Sequence, residues 1–172
     1  MRQNFTRRTT PEQAAPRLAA LRAAMAREGL AGFLVPRADA HQGEQVAPRD
    51  DRLAWLTGFT GSAGFAAVLA DQVGLFVDGR YRVQARLETD TSLITPVPWP
   101  ETGLAEWLAG ALPEGAALGV DPWLHTGAEI ARLRAALEPR GITLRLVAHN
   151  LVDAIWPDQP APPMGAVFAQ PL

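Results

Sequence analysis

The sequence predicts an α/β fold, a mixed β-sheet flanked by helices on both faces. Helical and strand-like segments alternate along most of the chain. One early pair of apolar runs is joined by a gap of turn length, which places a hairpin inside the sheet. A hydrophobic fraction of 48% with 20% charged residues describes a globular core rather than a disordered chain, and 172 residues suit one ordinary domain.

The first helix is predicted to open at Thr10, with Pro11 in the first helical position and Gln13 completing a capping box. Leu18, Leu21 and Met25 then recur at helical spacing, and Gly29 ends the run. Residues 31–35 read as a buried strand stopped by Pro36. A polar loop covers 37–49, and 51–57 form a short helix. Gly58 to Gly64 has turn chemistry. Residues 65–69 and 74–77 form the hairpin, Asp78-Gly79 breaks it, and 81–88 return to helix. A strand over 92–97, a helix over 103–112 and a strand over 117–120 follow. Thr126 and Glu129 form a capping box for a helix ending at Leu137, and a last strand covers 143–147. Residues 151–156 form a short helix or turn. Beyond Trp156, prolines at 157, 160, 162, 163 and 171 forbid helix and central strand. The expected division is a domain over 1–156 and a Pro-rich linker over 157–172, leading toward a following domain.

Charge and composition remove several functions. A net charge of -2 provides no field to recruit nucleic acid or an anionic membrane. No cysteine is present, so disulfides and thiolate chemistry are excluded. No apolar run reaches the length of a membrane span, and the basic N-terminus lacks the apolar core of a signal peptide. A cytoplasmic location is expected.

Several residues invite chemical readings. The Gly58–Gly64 stretch lacks the Gly-Lys-Ser/Thr ending of a phosphate loop and precedes a strand, so it reads as a structural turn. Asp39, His41 and Glu44 are metal-ligand types, but no third anchoring motif accompanies them, and Asp39 and His41 are expected to fix the loop through its backbone. Ser62 does not stand in a nucleophile elbow. Arg80 follows a strand end and a glycine break. Its guanidinium can hold a carboxylate or peptide carbonyl, or pair with Asp78 or a Glu on the surface.

In order along the chain stand Asp39-Ala40-His41-Gln42-Gly43-Glu44, Ala47-Pro48-Arg49-Asp50, the run from Leu56 to Gly64, and Val77-Asp78-Gly79-Arg80-Tyr81 with Gln84-Ala85. Leu112-Pro113-Glu114-Gly115, Gly119-Val120-Asp121-Pro122 and the run from Asn150 to Trp156 follow. Together they resemble the creatinase/prolidase N-terminal domain, a ribonuclease H-like fold. The nearer likeness is to cytosolic-type Xaa-Pro aminopeptidases, and it extends from about Leu30 to Pro163.

The resemblance implies a larger metallopeptidase that removes the N-terminal residue of peptides with proline second. It places catalysis on a C-terminal domain whose two Asp, one His and two Glu hold a dinuclear metal centre, usually manganese. That domain is not in this sequence, so no catalytic residue or metal ligand is assigned here, and the fragment alone is expected to be inactive. The resemblance assigns substrate binding to Arg80 and, more weakly, to His41. It also implies contact with the chain's own catalytic domain and a homodimer. Gln45 stands where relatives carry Tyr after Glu. Two alternatives stay open: a stand-alone, non-enzymatic binding or assembly module, and the N-terminal domain of a prolidase or creatinase relative.

Overall fold

A computed structural model describes residues 10–166 and 169. Its centre is a six-stranded sheet of order β4-β3-β2-β1-β5-β6. The strands are β1 (Gly32–Pro36), β2 (Phe65–Leu69), β3 (Val73–Val77), β4 (Thr95–Pro98), β5 (Ala117–Val120) and β6 (Thr143–Leu146). The β2–β3 hairpin and the β1–β2 pair are antiparallel, whereas β3–β4, β1–β5 and β5–β6 are parallel. The sheet is therefore mixed, as expected.

Among the described residues, five α-helices cover it: α1 (Ala14–Arg27), α2 (Arg52–Thr57), α3 (Arg82–Glu88), α4 (Leu104–Ala111) and α5 (Gly127–Leu137). Strand periodicity sorts the core into two layers. Phe33, Val35, Ala66, Val68 and Leu75 point to one face, where Leu18, Leu21, Met25, Leu53, Leu56 and Ala85 bring α1, α2 and α3. Leu34, Ala67, Leu69, Phe76, Leu118 and Leu144 point to the other, under Leu108 of α4 and Leu137 of α5. Apolar residues on both faces explain why these strands read as continuous runs rather than alternations. Each fully buried Leu or Phe among them contributes about 1.5–3 kcal/mol.

Most boundaries lie within one or two residues of expectation, and two differ by more, each because a side chain took a competing partner. The Thr10 capping box does not form. The Thr10 hydroxyl accepts from Arg17 Nη1 at 3.1 Å, and the Gln13 N–H goes to the Thr10 carbonyl at 2.9 Å, making a 3-10 turn over Pro11–Gln13. The strand expected from Ser92 begins at Thr95 instead. Asp90 Oδ1 accepts from the Ser92 N–H at 2.9 Å and hydroxyl at 2.6 Å, which winds the intervening residues into a turn. The capping box of α5 forms as expected: Glu129 Oε2 accepts from the Thr126 N–H at 2.7 Å, and the Glu129 N–H donates back to Thr126 Oγ1 at 3.2 Å.

The last described segment has no regular element beyond the 3-10 turn Asp153–Ile155. Its start is nevertheless packed. Trp156 stacks on Trp55 of α2, with ring centroids 5.0 Å apart and planes 16° from parallel. Arg52, only 5% exposed, grips Asp153 through Nε at 2.7 Å and Nη2 at 2.9 Å.

Candidate functional site

Topology gathers the loops of interest at one end of the sheet. β1 and β3 end where β2 begins, because Phe65 pairs with Pro36 on one side and Phe76 on the other. The parallel strands β4, β5 and β6 finish at the same end. The polar loop after β1, the Gly58–Gly64 loop and the Asp78–Tyr81 segment therefore share one rim. That rim lies at the carboxyl ends of the parallel strands, where open α/β sheets display ligand-binding groups.

Arg80 projects from this rim with its side chain 68% exposed. The surface pair with Asp78 is formed: Nη2 donates to Oδ2 at 2.8 Å and Nε to Oδ1 at 3.1 Å, while the Arg80 N–H also reaches Oδ1 at 2.9 Å. The Arg80 side chain, followed by its backbone N–H, holds the Asp78 carboxyl below the usual carboxylate range. The guanidinium carbon lies 5.0 Å from the centre of the Tyr81 ring. Tyr81 is fixed in turn by its hydroxyl, 2.6 Å from Ser62 Oγ, and by the edge of Phe59, 5.7 Å away at 82°. Nη1 of Arg80 has no hydrogen-bond partner among the described residues. The arginine is thus held on two sides, by Asp78 and by the Tyr81 ring.

His41 is exposed, in the loop after β1. Asp39 supplies the backbone role expected of it: Oδ1 accepts from the His41 N–H at 2.9 Å and the Gly43 N–H at 3.0 Å. The Gly43 N–H is the main reason its carboxyl sits below the usual range. No hydrogen bond joins His41 to Arg80 among the described residues, although both loops occupy the same rim. Among those residues, no three His, Cys, Asp or Glu side chains group closely enough to hold a metal ion.

Arg37 links these loops and was not singled out from the sequence. Its Nη1 donates to the Glu44 carbonyl at 3.0 Å and the Ser62 carbonyl at 3.1 Å. An Arg placed directly after a strand-ending proline was the available signal. The glycine loop has its shape for steric reasons. Gly58 ends α2 at φ +86°, in the left-handed region. A Cβ at Gly61 would fall 2.2 Å from Phe59 Cζ and 2.8 Å from Tyr81 Cδ1. Thr60 straps the loop to α3, donating to Glu88 through its N–H at 2.8 Å and its hydroxyl at 2.9 Å. The bond between Ser62 and Tyr81 gives Ser62 no general base, so nothing here activates it as a nucleophile.

A groove of about 450 Å³ opens beside Arg37 on the α5 side, lined in part by Pro36, Phe65, Trp99, Ile130 and His125. His125 Nε2 is buried with no hydrogen-bond partner among the described residues. Burial pushes the imidazole below its ordinary pKa, opposed by the charges of Glu129 and Asp121. The unfolded chain therefore takes up this proton first. Stability should fall as pH drops below about 6.5, by up to about 1.4 kcal/mol per unit until the folded imidazole also titrates. Urea unfolding at pH 7 and pH 5 should show a smaller loss for His125→Gln than for the parent. Equal losses would remove His125 as the cause.

Comparison with known proteins gives this rim its context. Residues 17–152 match the model of the Creatinase/Prolidase N-terminal domain. The chain is 38% identical to a "Probable Xaa-Pro aminopeptidase P" of Coccidioides posadasii, over 98% of this chain and 26% of that protein. It is 33% identical to human Xaa-Pro aminopeptidase 2, over 88% of this chain and 23% of that protein. It therefore spans about a quarter of the length of such relatives. Among solved structures, it is similar to an X-prolyl aminopeptidase from Caenorhabditis elegans, described as a cytosolic enzyme with a di-nuclear active site. The TM-score is 0.80 at 29% identity, covering 86% of this chain and 26% of that one. The N-terminal domain of the cytoplasmic peptidase PepQ from Mycobacterium tuberculosis matches with a TM-score of 0.64 at 28% identity, covering 81% of this chain and 98% of that one. The chain belongs to the creatinase/prolidase N-terminal domain family, in the form carried by Xaa-Pro aminopeptidase-like proteins.

Proposed function

We propose that this chain is the non-catalytic, substrate-contacting and assembly domain of a cytoplasmic metallo-aminopeptidase that removes the N-terminal residue preceding proline. Residues 1–156 form the domain and 157–172 the linker toward a catalytic domain holding the dinuclear metal, of manganese type, in a homodimer. The observation that carries this reading is alignment over nearly the whole chain with about a quarter of several Xaa-Pro aminopeptidases. The fold match to the dinuclear nematode enzyme supports it. No helix among the described residues is long and apolar enough to cross a membrane.

Arg80 is the substrate contact in this reading, with His41 lining the same approach. The Asp78 pair uses Nε and Nη2, so Nη1 is left to meet a peptide carbonyl or carboxylate. In the full-length enzyme, Arg80→Ala should lower kcat/KM on Xaa-Pro-Xaa peptides about 10- to 100-fold, the scale of one charged hydrogen bond. Metal content should be unchanged. Unaltered kinetics would remove Arg80 from the site. A preference of the parent enzyme for Xaa-Pro dipeptides over longer peptides would instead point to a prolidase.

A further inference from the structure

The proline-rich exit is expected to behave as a tether, yet its first residues make more specific contacts than a tether needs. Trp156 stacks on Trp55, whose other neighbour is Arg17, with its guanidinium carbon 4.6 Å from the Trp55 ring centre. Gln159 reaches back with Nε2, donating to the Arg49 carbonyl at 3.0 Å and to Asp153 Oδ1 at 2.7 Å. Arg49 Nη1 closes the exchange by donating to the Pro160 carbonyl at 3.3 Å. Beneath them lies the Arg52–Asp153 pair, to which Asp50 adds a third bond at 3.1 Å. Asp153 is thus shared: one carboxylate anchors the last turn of the domain to α2 and also receives the Gln159 carboxamide of the exit.

These contacts join segments that are 101 to 111 residues apart in sequence. Trp55 and Trp156 are themselves only partly buried and pack against the core from outside it. From Ala161 onward the described chain is exposed and carries Pro162, Pro163 and no regular structure. Proline-rich segments of this kind are semi-rigid spacers of about 3.1 Å per residue. A stiff arm on a loose root would still sweep a wide cone. A stiff arm on a fixed root points in one direction.

We infer that the surface formed by Arg49, Arg52, Trp55 and Asp153 is a docking seat for the chain's own segment 156–160, which fixes the direction in which the chain leaves the domain. Its partner is a short peptide offering an indole, a carboxamide and a backbone carbonyl in that order, bound in cis. The inference is independent of the substrate reading and of Arg80. Because the chain contains no cysteine, labels can be placed at chosen sites without background.

In the 172-residue chain, nitroxide labels at Ala23→Cys on α1 and Ala161→Cys on the exit should give a single narrow distance distribution by pulsed electron spin resonance. Gln159→Ala combined with Trp156→Ala should at least double its width. Circular dichroism should show the same helix and strand content in both proteins, so that broadening is assigned to the exit and not to unfolding. A broad distribution in the parent would overturn the inference, as would a distribution that stays narrow in the double variant. Gln159→Ala alone, which removes no core contact, should also broaden the distribution, and an unchanged width there would exclude the carboxamide from the seat.

Discussion

Phe76→Ala should lower the free energy of unfolding by about 3–5 kcal/mol, the range for truncating a buried aromatic to a methyl group. Phe76 is fully buried and occupies the middle of an aromatic series that crosses the fold. Its ring stacks on Phe65 of β2 at 4.7 Å and receives the edge of Trp107 of α4 at 5.5 Å. Phe65 carries the edge of Trp99 at 6.2 Å, at the end of β4. Truncation would leave a cavity bounded by a sheet on one side and a helix on the other, neither free to collapse into it. For a chain of this size the loss corresponds to a fall of about 6–20 °C in Tm. Urea unfolding measures it. A loss under about 1 kcal/mol would mean that α4 can settle onto β3 without this ring.

Arg52→Ala is the second large effect, at about 3 kcal/mol. Burial opposes the charge on Arg52, but the hydrogen bonds and charges of Asp153 and Asp50 outweigh it and raise its pKa above the ordinary guanidinium value. Removing the cation would leave two carboxylates facing a pocket that no longer compensates them. The cost comes from that unpaired charge rather than from the net worth of the pair. The double variant Arg52→Met, Asp153→Leu should therefore recover much of the loss, since an apolar pair of similar volume avoids the desolvation. Chemical denaturation of the two single variants and the double variant measures the coupling. A double variant as unstable as the sum of the singles would show that the two side chains act separately.

Local signals in the sequence proved reliable where nothing competed with them. β5 occupies 117–120 as expected, because a short apolar run between Gly115 and Pro122 has few alternatives. The Thr126–Glu129 box could be read because all its partners lie within one turn. Thr10 failed by the same logic: Arg17, seven residues away, offers its hydroxyl a charged donor that a capping template does not consider. Ser92 failed because Asp90 can hold a turn in any strand-like run that follows it. At the rim, the sequence left Arg80 open between a ligand and a surface pair. The structure shows the pair, and Nη1 has no hydrogen-bond partner among the described residues. Arg37 and the Arg52–Asp153–Gln159 seat were not legible. Their meaning depends on partners dozens of positions away, and no periodicity encodes which carbonyl a guanidinium will meet.

Strand β4 closes one side of the sheet, and its sequence is Thr95-Pro96-Val97-Pro98. The Trp99 N–H donates inward to the Val77 carbonyl of β3 at 3.0 Å. Strand groups alternate in direction, so Thr95 and Val97 also face β3, and the positions that look outward are Pro96 and Pro98. Neither has an N–H to give. The Pro98 carbonyl already accepts from the Thr102 N–H at 2.9 Å, so another strand arriving there would find the Pro96 carbonyl as acceptor and no donor from either proline. Growth of the sheet past β4, whether by self-association or by runaway aggregation, is blocked by the chemistry of two imino acids. Copies of this domain that meet must do so through helices, loops or the β6 border.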